Sequence, residues 1–120
     1  MFQFIKGRIR SFGYAFEGIY TLFSTQKNAQ VHLFAVIALV ALSFYYELNA
    51  NEWCFLLICM GMVLLAEGIN TALEFLTDLA SPEIHPLAKK CKDVAAGAVL
   101  LSVIFCGIVW GIIFLPKIFA

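Results

Sequence analysis

Charged side chains are scarce in this chain, 13% of 120 residues against 62% hydrophobic ones, and that shortage excludes a soluble domain. A mean hydropathy of +0.91 means more apolar surface than a body of this size can hide within itself. The chain is therefore read as a membrane protein. Both phosphate-cradling loops, Gly-x-x-x-x-Gly-Lys-Ser/Thr and Gly-x-Gly-x-x-Gly, are missing, so no soluble nucleotide-binding fold is indicated. No Ser-His-Asp or Cys-His set is spaced for nucleophilic catalysis. The four cysteines, Cys54, Cys59, Cys91 and Cys106, form no Cys-x-x-Cys pair and read as small packing residues. The first 20 residues lack a continuous apolar stretch and a cleavage site, so the chain's own helices are expected to direct insertion. Internal repeats, low-complexity stretches and linkers are also lacking, which leaves one domain over residues 1–120.

What is present divides into one amphipathic stretch and three apolar runs. Residues 2–23 place Phe2, Ile5, Ile9, Phe12, Phe16, Ile19, Tyr20 and Phe23 at three- and four-residue spacings, with Lys6, Arg8, Arg10 and Glu17 between them. That pattern predicts a helix lying on the membrane surface, its basic face on anionic headgroups. A polar break, 24–30, leads into a first spanning helix over about 31–48, with His32 at its start reading as interfacial and Tyr45 and Tyr46 as an aromatic belt. A short acidic connection, Glu47 to Glu52, precedes a second span over about 53–78. Pro82 and Pro86 stop that helix, and a basic run follows. The third span runs over about 94–115, opens with small residues that admit a neighbouring helix, and ends at Pro116, leaving Lys117 outside.

Seven of the eight Lys and Arg side chains fall before residue 28 or within 89–92. The positive-inside rule then puts the amino terminus and the 79–93 connection in the cytoplasm and the carboxyl terminus outside. The basic patches lack the aromatic interleaving of a nucleic-acid surface and adjoin membrane helices, so nucleic acid is not an expected partner.

At the inner end of the second span the residues are unlike the rest. Glu67, Asn70, Thr71, Glu74 and Asp78 recur at helical spacing and share one face. A carboxylate at the hydrocarbon centre costs about 2.5–3.5 kcal/mol, and such groups normally face a bundle interior or a wet cavity. Lys89, Lys90 and Lys92 stand at the same membrane level. Carboxylates one to two turns apart suit Mg²⁺ and a general base, and lysines neutralise phosphate oxygens, which is equipment for phosphoryl transfer. Two other readings stay open on the residues alone: acids and lysines that pair merely to join helices, and an ion-handling or transport role.

The set Glu67-x-x-Asn70-Thr71-Ala72-x-Glu74-x-x-x-Asp78, then Pro82-Glu83-x-His85-Pro86-Leu87-Ala88-Lys89, then Lys92-Asp93-x-Ala95-Ala96-Gly97-Ala98-Val99, resembles the signature of the small prokaryotic diacylglycerol kinase family, which includes undecaprenol kinases. Residues 12–18 resemble that family's amino-terminal surface helix, so the likeness covers nearly the whole chain. It implies an all-α membrane fold, three transmembrane helices plus the surface helix, assembled as a homotrimer in the bacterial cytoplasmic membrane with composite active sites on the cytoplasmic side. It implies transfer of the γ-phosphate of ATP, with Mg²⁺, to diacylglycerol or undecaprenol. By the same resemblance Glu67 is the general base with Asn70 beside it, Glu74 a metal ligand, and Lys92 and Asp93 the contacts to ATP, with Tyr14, Glu83 and His85 also lining the nucleotide pocket.

One position departs from that pattern. Where the family carries a second metal-binding glutamate this chain has Gln26, an amide that can ligate Mg²⁺ and contact the nucleotide but brings no formal charge. Weaker metal binding is expected, with Glu17 a candidate substitute. The competing expectation outside the enzyme class is a membrane scaffold that keeps the fold after losing that glutamate. Between the two lipids, the run His85-Pro86-Leu87-Ala88-Lys89 leans toward undecaprenol.

Overall fold

A computed structural model describes residues 1–120 as four α-helices and no strand: α1 (Phe2–Thr25), α2 (Lys27–Tyr45), α3 (Ala50–Ala80) and α4 (Pro86–Ile118). The last three are long and apolar enough to cross a membrane. At about 1.5 Å per residue, the 31 residues of α3 and 33 of α4 reach well beyond a hydrocarbon layer of about 30 Å. Both therefore carry a helical extension outside the lipid, and in α4 that extension is the basic run 86–93, continuous with the span.

The polar break expected over 24–30 shrinks to one residue. Only Gln26, at φ −105° and ψ 112°, leaves the helical region, and it caps the end of α1 and the start of α2 together. Polar side chains by themselves do not interrupt a helix, and here they brace the corner: Gln30 Nε2 donates to Phe23 O at 2.9 Å across it. The molecule measures 53 × 47 × 21 Å. Three antiparallel helices at the usual 8–10 Å spacing do not fill the 47 Å dimension, so α1 projects sideways from the others. No residue of α1 is buried, and it meets α3 where Leu22 lies over Gly68, 3.7 Å from the point a Cβ would occupy there.

The α2–α3 connection is a tight reversal. Glu47 N–H donates to Phe44 O and Leu48 N–H to Ser43 O, both at 3.2 Å, with Glu47 at φ 52°. That is the hydrogen-bond pattern of a Schellman motif, whose left-handed position glycine usually fills. Leu48, buried, closes it against the core. Next, Asn49 Oδ1 accepts from Glu52 N–H at 2.9 Å while Glu52 Oε1 accepts from Asn49 N–H at 3.4 Å, a capping box that starts α3. At α4 the start is set by Pro86 in the first turn and by His85 Nδ1, which accepts from Leu87 N–H at 3.1 Å.

The end of α4 differs from expectation. Pro116 lies inside the helix, which runs on to Ile118. Proline removes one N–H, and in the last turn that costs little because few bonds remain to be broken. Lys117 thus stays on the helix, and its Nζ pairs with Glu52 Oε2 at 3.2 Å, joining the end of α4 to the start of α3.

Burial changes character along the bundle. The half nearer the α2–α3 turn holds the apolar core, Leu48, Leu56, Met60, Val63, Cys106, Ile113 and Phe114, with Tyr46 edge-on and Trp110 tilted against the Phe114 ring at 5.9 and 5.6 Å. Toward the other end the buried side chains of α3 are Glu67, Asn70, Thr71 and Thr77, opposite the small Ala95 and Val99 of α4. Only 15 of 120 residues are buried, so most large apolar side chains face outward, as a lipid surrounding favours.

Candidate functional site

The polar face read from the sequence is real, and folding splits it into two groups. The first is intramembrane: Glu67, Asn70 and Thr71 are 2%, 7% and 5% exposed. Asn70 Nδ2 donates to Glu74 Oε1 at 3.2 Å, one turn further along the helix, and makes no bond to Glu67 one turn before it. Its own oxygen, Oδ1, is buried and receives no hydrogen bond. Leaving an acceptor unpaired inside a membrane helix pair is costly, and such an atom marks a place where a donor or cation is missing.

His32 of α2 completes this group. Its Nε2 stands 3.5 Å from Glu67 Oε1, the only ion pair or side-chain hydrogen-bonding contact that reaches Glu67. The sequence reading treated His32 as merely interfacial. The missed signal was depth: an antiparallel α2–α3 hairpin brings the first turns of α2 level with the middle of α3. The histidine also forms one end of an otherwise apolar cavity of about 170 Å³, between Leu39 of α2, Met60 of α3 and Trp110 of α4.

The second group lies around the α3–α4 turn. Glu83, His85, Lys92 and Asp93 line one polar cleft of about 290 Å³ together with Asp78 and Lys89. Lys92 Nζ reaches Asp78 Oδ1 at 2.5 Å, and Lys89 Nζ reaches Asp93 Oδ2 at 2.5 Å. The hydrogen bond to Asp78 holds the Lys92 ammonium above the ordinary lysine value against some desolvation, and the charges of Asp78 and Glu74 add to that. Glu74 is thus electrostatically within reach of the cleft. The cations are not idle: Lys92 is held on Asp78 and Lys89 on Asp93. Acids that join helices by pairing with lysine are therefore represented by Asp78, whereas Glu67 and Glu74 pair with no lysine.

Tyr14 and Gln26 are not brought into that cleft. Tyr14 is exposed on α1, and Gln26 Nε2 donates to the neighbouring Thr25 Oγ1 at 3.0 Å. Within one protomer no three His, Cys, Asp or Glu side chains gather as a metal cage. Magnesium seldom needs one, since it keeps waters and takes one or two carboxylates plus substrate phosphates. The donors present suit it: the Glu74 carboxylate, the Gln26 amide oxygen and the unpaired Asn70 Oδ1 are all hard oxygens.

Comparisons with known proteins bear on the family of the chain. The family model for prokaryotic diacylglycerol kinase matches residues 13–114. The chain is 38% identical over 109 residues to an undecaprenol kinase of Bacillus subtilis, a match covering 91% of this chain and 89% of that one. It is 39% identical over 109 residues to a diacylglycerol kinase of Synechocystis, covering 90% of this chain and 62% of that protein. A diacylglycerol kinase of Escherichia coli is 26% identical over 105 residues, covering 88% and 86%.

Proposed function

This chain belongs to the prokaryotic diacylglycerol kinase family, and from that membership we propose that it is a lipid kinase whose acceptor is a polyprenyl alcohol. The family and its named relatives support transfer of the γ-phosphate of ATP to a membrane lipid hydroxyl, and they do not favour an inactive scaffold. The choice of undecaprenol over diacylglycerol rests on the run His85-Pro86-Leu87-Ala88-Lys89 and on the near end-to-end match with the Bacillus subtilis undecaprenol kinase. One observation carries the catalytic reading: Glu67, near the middle of the long helix α3, is a carboxylate only 2% exposed within an apolar span, and a buried acid so placed is kept for function.

In this reading the lipid hydroxyl approaches sideways and Glu67 accepts its proton as the oxygen attacks the γ-phosphorus. Asn70 holds the Glu74 carboxylate through its Nδ2. Lys92, released from Asp78, meets charge developing on the phosphate oxygens, and Asp93, Glu83 and His85 line the nucleotide's side of the cleft. Glu74 and Gln26 would hold Mg²⁺, which when bound neutralises phosphate charge. Tyr14 contacts the nucleotide only where α1 of one protomer is brought over the cleft of another.

The same separation supports a homotrimer with composite sites, since a single protomer leaves Glu67 and the cleft in two groups and exposes most of its large apolar side chains. The seven cations before residue 28 and within 89–92 support a cytoplasmic active face in the bacterial inner membrane, with α1 lying on it. The test is purified protein in detergent with labelled ATP against undecaprenol and diacylglycerol separately. Label in undecaprenyl phosphate is expected. Label in phosphatidic acid alone overturns the choice of lipid, and label in neither overturns the kinase.

A further inference from the structure

Glu67 is buried, carries the chemistry in the reading above, and has one neighbour that no part of that reading uses. We propose that His32 is the positioning residue of Glu67, its Nε2 holding the carboxylate in the orientation from which it takes the lipid hydroxyl proton. This rests on the kinase reading of the preceding subsection.

The observations are geometric. The Nε2 of His32 lies 3.5 Å from Oε1 of Glu67, with the two side chains 22% and 3% exposed. No lysine or arginine reaches Glu67, and the nearby amide, Asn70 Nδ2, is spent on Glu74. A glutamate side chain has three rotatable bonds, and one without a partner in an apolar helix interface has nothing to select a rotamer. His32 is the only group that supplies that selection. At 3.5 Å the contact is longer than a good hydrogen bond, and catalytic contacts of this kind commonly shorten when substrate excludes water.

The same side chain lines the apolar cavity bounded by Val36, Leu39, Val63, Val103 and Trp110, so the donor that meets Glu67 is carried by α2 rather than offered by solvent. Position 32 must then offer an N–H donor at about imidazole reach.

Two variants and one spectrum test this. His32→Leu fills the site without a donor and is expected to lower kcat about tenfold or more, as misplacing a reacting group does, with KM for ATP unchanged. His32→Gln keeps an N–H donor and is expected to recover most of the lost rate. Equal rates in wild type and His32→Leu overturn the proposal, and so does a His32→Leu defect confined to KM for the lipid, which would make the residue a cavity wall only. Failure of the wild type to phosphorylate any lipid overturns the kinase reading instead. The contact is read without turnover: the chain has only two histidines, so in ring-¹⁵N-labelled protein the His32 Nε2 resonance is assigned by its loss in His32→Gln. Glu67→Gln is expected to move it and leave His85 in place. An unmoved His32 resonance overturns the contact and the positioning role with it.

Discussion

Glu67→Gln separates the chemical role of this side chain from any structural one. The substitution keeps length, volume and one oxygen, and it removes a formal charge from a side chain 3% exposed whose only ionic neighbour is His32. Burying a neutral amide is easier than burying a carboxylate, so folding and thermal unfolding in detergent should hold or improve. Turnover should not. A positioned general base contributes about 10²–10⁴ in rate, or about 3–5 kcal/mol. The upper part of that range applies here because nothing stands in for the lost base. Glu74, seven residues along α3, is about 10 Å away along the axis and is tied to Asn70. Bulk water has little access to a residue 2% exposed. The expected result is therefore a loss of about 10³-fold or more in kcat, with nucleotide binding retained, read by labelled phosphate transfer beside binding of a fluorescent ATP analogue. Turnover above a tenth of wild type would refute the assignment of Glu67 as base. Parallel loss of nucleotide binding would make Glu67 a ligand or a structural group.

Gln26→Glu restores a charge at the α1–α2 corner and should lower the Mg²⁺ concentration that gives half-maximal rate, measured by metal titration of the transfer reaction; an unchanged midpoint removes Gln26 from the metal site. Glu47→Gly relieves a left-handed residue at φ 52° and should stabilise the protein by about 1 kcal/mol, read from denaturant unfolding in mixed micelles. For Lys92, the folded value lies above the ordinary one because of Asp78, so whatever the pair adds to stability is complete below the ordinary lysine value and fades only as pH climbs through the raised one. At pH 9–10 its amine should therefore acylate more slowly in the wild type than in Asp78→Asn, as competitive labelling with mass spectrometry would show.

The three spans were legible because apolar runs of this length have no other stable place, and the acidic stripe on α3 was legible because a helix repeats every 3.6 residues whatever surrounds it. The proline stop at 82–86 was also local chemistry. Other expectations of the same local kind failed, since Ser24, Thr25 and Lys27 to Gln30 continue the helices and Pro116 sits within α4. A polar or cyclic side chain only biases a helix end, and the neighbouring turns decide it.

What no periodicity contained was the pairing across elements. Asp78 looked equivalent to Glu67 and Glu74 on one face, yet α4 meets the last turns of α3 and takes Asp78 alone to Lys92. His32 looked like any histidine at a helix end until the antiparallel hairpin set it 3.5 Å from Glu67. Spacing along one helix is a property of that helix's own turns, whereas a contact between helices depends on their relative depth and crossing, quantities that exist only once the side chains of both have packed.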